Sequence, residues 1–486
     1  MSELVGRLHR DASMLERLVT RRFGLPADST AVVTWVIVAL VAVSAGILVP
    51  PYVSVMGDSL MKLVALPAAL FLTFFLLASR SNLLRLIILI RASGDVVFES
   101  TRFGVGGAQI GVGGLLNGCV ILIAVMLVLE HPARFKRELV RGWGWFLAIA
   151  FFGIIVSPDH GAAIRLYLQL LSTFAVFVGG WYLVESTDGF KTCVKLIVWS
   201  SVVPVVYGAY QFATGSGVFY DDAGIRYQST FTHPNVFAFY LALAISLTFY
   251  VLKSPLFRLG GWSKLMIALY LVALIVMLGL TKTRSAWIAV AAIFFVYGLF
   301  FERRYLIYLL GGGALALFIP GVGDRMLEII GQKPVLISSY TPLNSFEWRQ
   351  SIWTSALAWM SPTRYLTGYG LEAFPALSTT FFAESNNIHY GAHNDYVQMF
   401  FELGAIGVAA FVGLYLYAIR LVRGLFRTDR LAGFVTVSLV VEYLVVAASD
   451  NMMQYLAFNW YVWFLLGAGA ALAVLSKTTT AETTSP

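Results

Sequence analysis

HNDYVQMFFELGAIG, residues 393–407, is the stretch in which a polar cluster runs directly into a long apolar segment. Its first four residues place an imidazole, an amide, a carboxylate and a phenol at the start of a predicted membrane helix: His393, Asn394, Asp395 and Tyr396. Groups of these kinds carry out proton transfer in many enzymes. The apolar half of the stretch therefore bears on the fold class, and the polar half is where we look for chemistry.

The apolar pattern extends over the whole chain. Of its 486 residues, 59% are hydrophobic and only 12% are charged, and the mean hydropathy is +0.78. Soluble domains contain about 25% charged residues. Apolar runs of about 17–25 residues cross the hydrocarbon core as helices, because a helix satisfies its own backbone groups where no water is present. The sequence thus predicts an all-α, polytopic membrane bundle of about 12–14 transmembrane helices.

The net charge of +8 and the two cysteines bear on the partners and the metal sites that can be expected. The basic residues lie in short loops between apolar runs, where they set orientation and meet anionic head groups, so we expect no nucleic-acid partner. Cys119 and Cys193 fall inside apolar segments, and neither a disulfide framework nor a thiolate metal site follows from them. We expect membrane lipids as the constant partner of this chain.

Thirteen apolar spans can be drawn, at residues 31–50, 62–79, 109–130, 142–157, 163–184, 192–212, 233–252, 264–280, 285–301, 304–320, 402–420, 431–449 and 455–475. Basic loops near residues 131–141, 253–264, 303–304 and 420–430 fall on one side, which the positive-inside rule makes cytoplasmic. A cytoplasmic N-terminus then requires a fourteenth crossing before the first of these loops. The interrupted segment 81–96 is the candidate; without it, the N-terminus faces out.

These spans divide the chain into six predicted segments: a cytoplasmic amphipathic segment at 1–30, N-terminal transmembrane helices at 31–130, core transmembrane helices at 131–320, a large external (periplasmic) loop at 321–401, C-terminal transmembrane helices at 402–475 and a cytoplasmic tail at 476–486. Loops longer than about 15 residues are usually functional or disordered. In this loop SFEWRQSIWTSALAWM, residues 345–360, has apolar residues near helical spacing, which predicts an amphipathic helix lying on the membrane.

Three arginines are predicted on the external side, where the topology rule disfavours positive charge. Arg226 lies directly before a span, Arg284 lies in the junction TKTRSAW between two spans, and Arg349 lies on the predicted loop helix. A guanidinium group binds phosphate through a planar fork, and a lipid diphosphate would supply the matching charge. The alternative is snorkelling toward lipid head groups. For Arg349 we favour such a structural role.

His393 is the candidate base, because an imidazole titrates near neutral pH and accepts a proton from a hydroxyl. Asp450 is either a plain helix-end group or a functional carboxylate at the outer end of a span. Pro234 is explained as a helix start, whereas its neighbour Asn235 is not. Further supporting candidates come from the same stretches: Lys282, Arg349, Asn394, Tyr396 and Glu402.

Several common chemistries find no support in the sequence. It contains no GxxxxGK[ST] loop, no HExxH and no GxSxG, which argues against the usual ATPases, zinc proteases and serine hydrolases. Asp221 and Asp222 are adjacent, so their side chains point apart and do not form the D-x-D pair that would hold a divalent metal. We therefore expect metal-independent chemistry without a cofactor.

Three stretches resemble the signature of the bacterial O-antigen ligase and polymerase superfamily, in the expected order. HNDYVQMFFELGAIG resembles its histidine-asparagine and glutamate-leucine-glycine motif. GIRYQSTFTHPNVFAFYL, residues 224–241, resembles its arginine-containing loop ending in proline-asparagine, and LTKTRSAWIAV, residues 280–290, resembles its threonine-arginine-serine junction. The similarity covers roughly residues 130–475. The chain departs from the shorter ligases in its arginine-rich start and its extra early spans.

The resemblance implies a GT-C-type membrane glycosyltransferase of O-antigen or exopolysaccharide synthesis. Such an enzyme moves a glycan from undecaprenyl diphosphate to a lipid- or glycan-borne hydroxyl acceptor on the outer side of the bacterial inner membrane. By this analogy His393 acts as the base or orients the acceptor, Arg226 and Arg284 hold the diphosphate, and Asp450 matches a late acidic position.

The motifs leave three activities open: a polymerase, a ligase and a protein-glycosylating enzyme. A polymerase would work with a chain-length regulator. The competing classes are a transporter or flippase for lipid-linked glycans and a structural scaffold. Transporters tend to place ionisable residues near mid-membrane, whereas these candidates cluster at the outer boundary.

Overall fold

The computed structural model describes residues 75–76, 78–100, 102–105, 108–220, 224–318, 323 and 345–483. The chain divides into two compact units. The first comprises residues 1–83 and 101–112 and includes an antiparallel hairpin of β1 (Arg102–Val105) and β2 (Ala108–Gly111). The second comprises residues 84–100 and 113–486, and it holds every candidate site residue.

Helices dominate the described chain. In order they are α1 (Arg80–Arg91), α2 (Asp95–Ser100), α3 (Val112–Glu130), α4 (Arg137–Ile155), α5 (His160–Leu183), α6 (Thr187–Ser200), α7 (Val202–Thr214), α8 (Pro234–Lys253), α9 (Gly261–Leu280), α10 (Arg284–Phe300), α11 (Arg304–Ala316), α12 (Ser345–Trp359), α13 (Ala373–Phe381), α14 (Asp395–Val422), α15 (Leu425–Thr428), α16 (Arg430–Val446) and α17 (Leu456–Thr483). A second antiparallel hairpin, β3 (Val218–Tyr220) and β4 (Gly224–Arg226), precedes α8.

Eight stretches of the described residues are long and apolar enough to cross a membrane: Val112–Glu130, Arg137–Ile155, His160–Leu183, Thr187–Thr214, Pro234–Lys253, Gly261–Leu280, Asp395–Thr428 and Leu456–Ser476. Arg284–Phe300 is a shorter apolar helix. All of them coincide with spans predicted from the sequence. The predicted all-α, polytopic class is confirmed, and the chain is a multi-pass membrane protein. The predicted span 31–50 and most of 62–79 lie outside the described residues.

Two helices form the centre of the bundle. In α8 and α17, 89% of the most apolar window is buried inside the protein, against 17% for α9. Small residues allow the close approach of α17 to α5: a Cβ atom on Gly467 would lie 1.9 Å from the carbonyl oxygen of Phe177. Close backbone contact through glycine is the usual way in which membrane helices pack without a hydrophobic driving force.

The segment 81–96, the candidate for the fourteenth crossing, overlaps the twelve-residue helix α1. At about 1.5 Å per residue, α1 is roughly 18 Å long, shorter than the hydrocarbon core of about 30 Å. Arg91, the last residue of α1, forms a buried ion pair of 2.7 Å with Asp95. The backbone N–H of Ala92 donates to the hydroxyl of Tyr461 at 2.9 Å, which ties this segment to α17.

The described part of the large loop, residues 345–401, is partly helical, as predicted, and has a hydrophobic core of its own. The buried residues of this core come from α12, α13 and the start of α14: Ile352, Ala356, Met360, Ala373, Phe374, Phe381, Phe382, Ala392 and Phe401. The apolar face of the predicted amphipathic helix is therefore covered by the loop itself. Trp353 packs against this core and donates from Nε1 to the carbonyl of Ala392 at 2.5 Å. We call the side of the bundle that carries this loop the loop side.

Helix α14 is broken at Gly404, which has φ 65° and ψ −165°. The loop segment 365–370 supplies the hydrogen bonds that the break removes. Tyr369 and Gly370 donate to the carbonyls of Phe401 and Glu402 at 3.0 and 2.7 Å. On the other side of the break, the N–H groups of Ala405 and Ile406 donate to the carbonyls of Tyr365 and Leu366 at 2.8 and 3.3 Å. Before the break Val397, Phe400 and Phe401 pack in the loop core, and the helix continues as a span from residue 405.

Candidate functional site

Asp450 is a buried carboxylate at the loop side of the bundle. It lies in the turn between α16 and α17 and is 1% exposed. Its carboxylate accepts hydrogen bonds from Asn235 Nδ2 at 2.7 Å, from the Tyr455 hydroxyl at 2.5 Å and from the backbone N–H of Asn451 at 3.0 Å. A buried carboxylate needs such partners to remain charged.

Arg226 is held by three neighbouring elements. Its Nε donates to the carbonyl of Thr281 at 2.8 Å, and its Nη2 donates to the Thr283 hydroxyl at 2.8 Å and to Asn235 Oδ1 at 2.7 Å. The guanidinium also lies over the Tyr220 ring, 5.0 Å from its centre. The end of β4, the start of α8 and the turn between α9 and α10 therefore meet at one cation.

Asn235 joins these two groups. Its side-chain carbonyl accepts from Arg226 and its amide donates to Asp450, so this one residue uses both ends of its side chain. The helix start at Pro234 points Asn235 toward the loop side, and the side chain of His233 caps the helix by accepting from the Asn235 N–H at 3.1 Å. The predicted helix start and the predicted polar candidate are thus parts of one arrangement.

His393 faces the other side of the Asp450 carboxylate. Its Nδ1 lies 3.7 Å from Asp450 Oδ1, which is ion-pair distance, and has no hydrogen-bond partner among the described residues. The side chain is 37% exposed, and the Trp348 ring packs against it with 5.9 Å between ring centres. The backbone has φ 48°, an uncommon conformation for a residue with a side chain.

The residues after His393 fix its position. Asn394 caps α14 by accepting from the N–H groups of Tyr396 and Val397 at 2.9 and 3.1 Å. Its own N–H donates to Asn451 Oδ1 at 3.2 Å. Asp395 accepts from the N–H of Met453 at 3.1 Å. The stretch 393–396 is therefore docked on the turn that carries Asp450.

The remaining predicted candidates take up different positions. Arg284 is the first residue of α10, directly after Thr283, and Lys282 lies in the same turn with φ 54°. Arg349 donates from Nη1 to the carbonyl of Ser449 at 2.7 Å. Glu402 is fully buried in the loop core and accepts from Gln398 Nε2 at 2.9 Å.

Tyr396, also a predicted supporting residue, donates from its hydroxyl to the carbonyl of Leu444 at 2.6 Å, which anchors α14 to α16. The contacts therefore join Arg226, Asn235, Asp450 and His393 in one network, with Arg349 bonded beside Asp450. They give Asn394, Tyr396 and Glu402 supporting positions. Their functional roles stay predictions.

The charges around Asp450 set its ionisation. Burial alone would raise the pKa of this carboxyl. The His393 imidazole, the Tyr455 hydroxyl and the Arg349 guanidinium outweigh burial and hold the pKa below its ordinary value of 3.8. Asp450 is therefore an anion at neutral pH, and it is placed to stabilise a positive charge on His393.

Two further residues of the network, His233 and Tyr455, were not predicted from the sequence as site residues. His233 lies close enough to Arg226, Asp450 and His393 for their charges to act on it. Burial, with a smaller effect from Arg226, lowers the pKa of His233 from 6.5 to about 4, so its imidazole is neutral at pH 7. Tyr455 sits five residues after Asp450 and bonds to it. The only sequence signal for His233 was its position before Pro234, and Tyr455 had none.

Among the residues that the structure describes, no group of three or more His, Cys, Asp or Glu side chains is placed to hold a metal ion. The candidate site combines one anchored guanidinium, one buried carboxylate and one partly exposed imidazole. Such a set can bind an anionic group and accept a proton.

Fold and site together define a polytopic helical membrane protein with a polar network at the ends of its helices. Residues 269–412 match the family model for O-antigen ligase. This match supports the predicted relationship to the O-antigen ligase and polymerase superfamily across this segment. The family implies a glycosyltransferase-type activity in polysaccharide biosynthesis. The family implies a lipid-linked saccharide and a glycan acceptor as substrates. The matched segment includes Arg284 and His393. A search of curated proteins finds no match to the chain.

The depressed pKa of His233 predicts a pH-dependent stability. The folded-state pKa of about 4 lies below the ordinary 6.5. The contribution of His233 to the stability of the folded state is therefore fully present above pH 6.5 and is lost as the pH falls toward 4. We expect the free energy of unfolding to fall by roughly 2 kcal/mol between pH 7.5 and pH 5 from this residue. Thermal unfolding of the purified protein at the two pH values measures it.

The matched variant for this prediction is His233→Asn, since asparagine keeps a side-chain acceptor for the helix cap. Its melting temperature is expected to depend less on pH over the same range than that of the wild type. Equal pH dependence in the two proteins would contradict a neutral, buried His233.

Proposed function

We propose that this protein transfers a glycan from undecaprenyl diphosphate to a hydroxyl acceptor, at an active site on the loop side of the bundle that faces the periplasm from the inner membrane. The observation that supports this proposal best is the chain of contacts from Arg226 through Asn235 to Asp450, with His393 facing the same carboxylate. An anion-binding group and a proton acceptor are thereby held in fixed relation.

In the proposed reaction the acceptor oxygen attacks the anomeric carbon of the lipid-linked sugar. The bond between that carbon and the diphosphate oxygen breaks, and the acceptor proton passes to His393. A single displacement of this kind inverts the anomeric configuration. The imidazolium that forms is stabilised by Asp450, as an orienting carboxylate stabilises the imidazolium of a catalytic triad.

Arg226 and Arg284 are proposed to bind the diphosphate. The charge that grows on the bridging oxygen needs fixed positive groups, and such preorganised electrostatic stabilisation is usually the largest catalytic contribution. The bonds from Arg226 to Thr281 and Thr283 support a shared role, because the second of these residues is adjacent to Arg284. Since a diphosphate is already a good leaving group, the reaction needs neither a nucleotide sugar nor ATP outside the cell.

The topology proposal rests on the distribution of basic residues. Arg137 and Arg430 lie at the starts of α4 and α16, and both helices run from there to the loop side. The positive-inside rule makes the end with those arginines cytoplasmic. The loop side then faces the periplasm, where lipid-linked glycans are joined.

Transfer by the reconstituted protein from purified lipid-linked glycan tests the site. We expect His393→Ala, Arg226→Ala and Arg284→Ala each to lower the rate about 10²–10³-fold, because each removes a charge or proton acceptor used in the transition state. His389→Ala and Arg364→Ala are matched controls in the same loop and should keep the wild-type rate. Three folded site variants with normal turnover would show that the site is assigned wrongly.

The same assay tests the expected metal independence. Activity should persist in the presence of a chelator, because arginine and histidine supply the electrostatic and proton-transfer roles. Loss of activity with the chelator and its recovery with Mg²⁺ would overturn this part of the proposal.

A further inference from the structure

Three deeply buried polar atoms lack a hydrogen-bond partner among the described residues and line one cavity within the bundle. They are Nε1 of Trp143 on α4, the hydroxyl of Tyr443 on α16 and Oδ1 of Asn459 on α17. Their residues are 3%, 0% and 4% exposed. An orphaned polar atom at such depth costs about 1–3 kcal/mol, and native proteins rarely tolerate several together.

The cavity itself is small. Its volume open to the centre of a water-sized sphere is about 10 Å³. That is close to the minimum that a single water molecule needs, and it is too little for a lipid chain or a sugar. The walls are largely aromatic and include Phe411, Tyr415 and Trp463.

The three atoms offer complementary hydrogen-bonding chemistry. The indole of Trp143 can only donate, and a hydroxyl such as that of Tyr443 can donate or accept. Asn459 donates from Nδ2 to the carbonyls of Met452 and Met453 at 2.7 and 3.2 Å, which fixes its amide with the acceptor oxygen toward the cavity. A water molecule can accept a hydrogen bond from one such group and donate one to another.

We propose that this cavity is a water-binding site inside the membrane-spanning bundle, with bound water bonded to Asn459 Oδ1 and to the Tyr443 hydroxyl, beside Trp143 Nε1. Bound water gives the buried oxygen of Asn459 a partner and so keeps its amide directed at Met452 and Met453. Those two residues follow Asp450 and Asn451 in the turn that carries the candidate site. The bound water thus helps to hold this turn in place. This role does not depend on the proposed reaction.

A density map of the full-length protein, at a resolution where buried water is visible elsewhere in the bundle, tests the site directly. We expect a density peak within about 3.2 Å of Asn459 Oδ1 and of the Tyr443 hydroxyl. An empty cavity in such a map would overturn the proposal.

Thermal unfolding of the detergent-solubilised protein is a second test. The change in the melting temperature of Tyr443→Phe distinguishes a cavity that holds water from a dry one. If water is bound, Tyr443→Phe removes one of its partners and lowers the melting temperature by about 1–3 °C. If the cavity is dry, the same substitution removes an unpaired hydroxyl and leaves the melting temperature unchanged or higher. Tyr182→Phe is the matched control, because the Tyr182 hydroxyl donates to the carbonyl of His131 at 3.0 Å and its loss should lower the melting temperature.

Discussion

Replacing Asp450 by asparagine is expected to lower the rate of glycan transfer about 10²–10⁴-fold without unfolding the protein. The carboxylate accepts three hydrogen bonds and faces His393 at 3.7 Å. An asparagine has one acceptor oxygen and turns its NH₂ group toward one of these donors. It also lacks the charge that stabilises an imidazolium, so the proposed base loses both its orientation and its driving force.

Initial rates of transfer for the wild type and Asp450→Asn, each measured from pH 6 to pH 9, check this expectation. Asp429→Asn is the matched control. Asp429 caps the opposite end of the same helix, α16, and accepts from the hydroxyls of Tyr250 and Ser254 at 2.9 and 2.7 Å. It should keep the wild-type rate at comparable thermal stability. A rate for Asp450→Asn within about threefold of the wild type would remove Asp450 from the mechanism.

The amino-acid sequence could reveal the class of this fold because membrane spans are local features. A run of about 20 apolar residues is stable in lipid as a transmembrane α-helix, and the described helices occur where such runs lie. The large loop was likewise recognisable by its length and its helical spacing. Its internal core was not, since placing Ile352 and Phe401 in one buried cluster depends on a chain reversal that no local pattern encodes.

The candidate site was predictable only residue by residue. His393 and Arg226 stood out because charged or titratable groups at a membrane boundary are expensive. The bond from Asn235 to Asp450 joins residues 215 positions apart, and nothing in either neighbourhood predicts the other. The change in the pKa of His233 likewise follows from burial and from charges on distant segments.

The backbone break at Gly404, the glycine of the ELG motif, was likewise not predictable from the sequence. Glycine is common in membrane helices, so a glycine after Glu402 and Leu403 gave no reason to expect a break. The segment 365–370 explains the break, because its backbone groups replace the lost helical hydrogen bonds. It also changes the meaning of the stretch 393–407: the half that carries His393 folds with the large loop, and the membrane span begins after the break.

The second large effect is expected from Gly404→Ala, which should destabilise the protein by about 3–5 kcal/mol and prevent most of it from accumulating folded. The backbone at φ 65° and ψ −165° lies in a region that is essentially restricted to glycine. A Cβ atom here would lie 2.2 Å from the carbonyl carbon of Leu366 and 2.4 Å from the N of Thr367. Both contacts are with backbone atoms, which cannot turn aside as a flexible side chain can.

Gly413→Ala is the matched control, because Gly413 lies further along α14 and a Cβ there meets nothing within 4 Å. Alanine should be neutral or slightly stabilising at that position, by up to about 1 kcal/mol. The yield of monodisperse protein and its melting temperature in detergent compare the two variants. Wild-type stability of Gly404→Ala would mean that α14 runs unbroken through residue 404. Residues 395–403 would then continue the membrane helix, and the segment 365–370 would no longer complete its backbone hydrogen bonds.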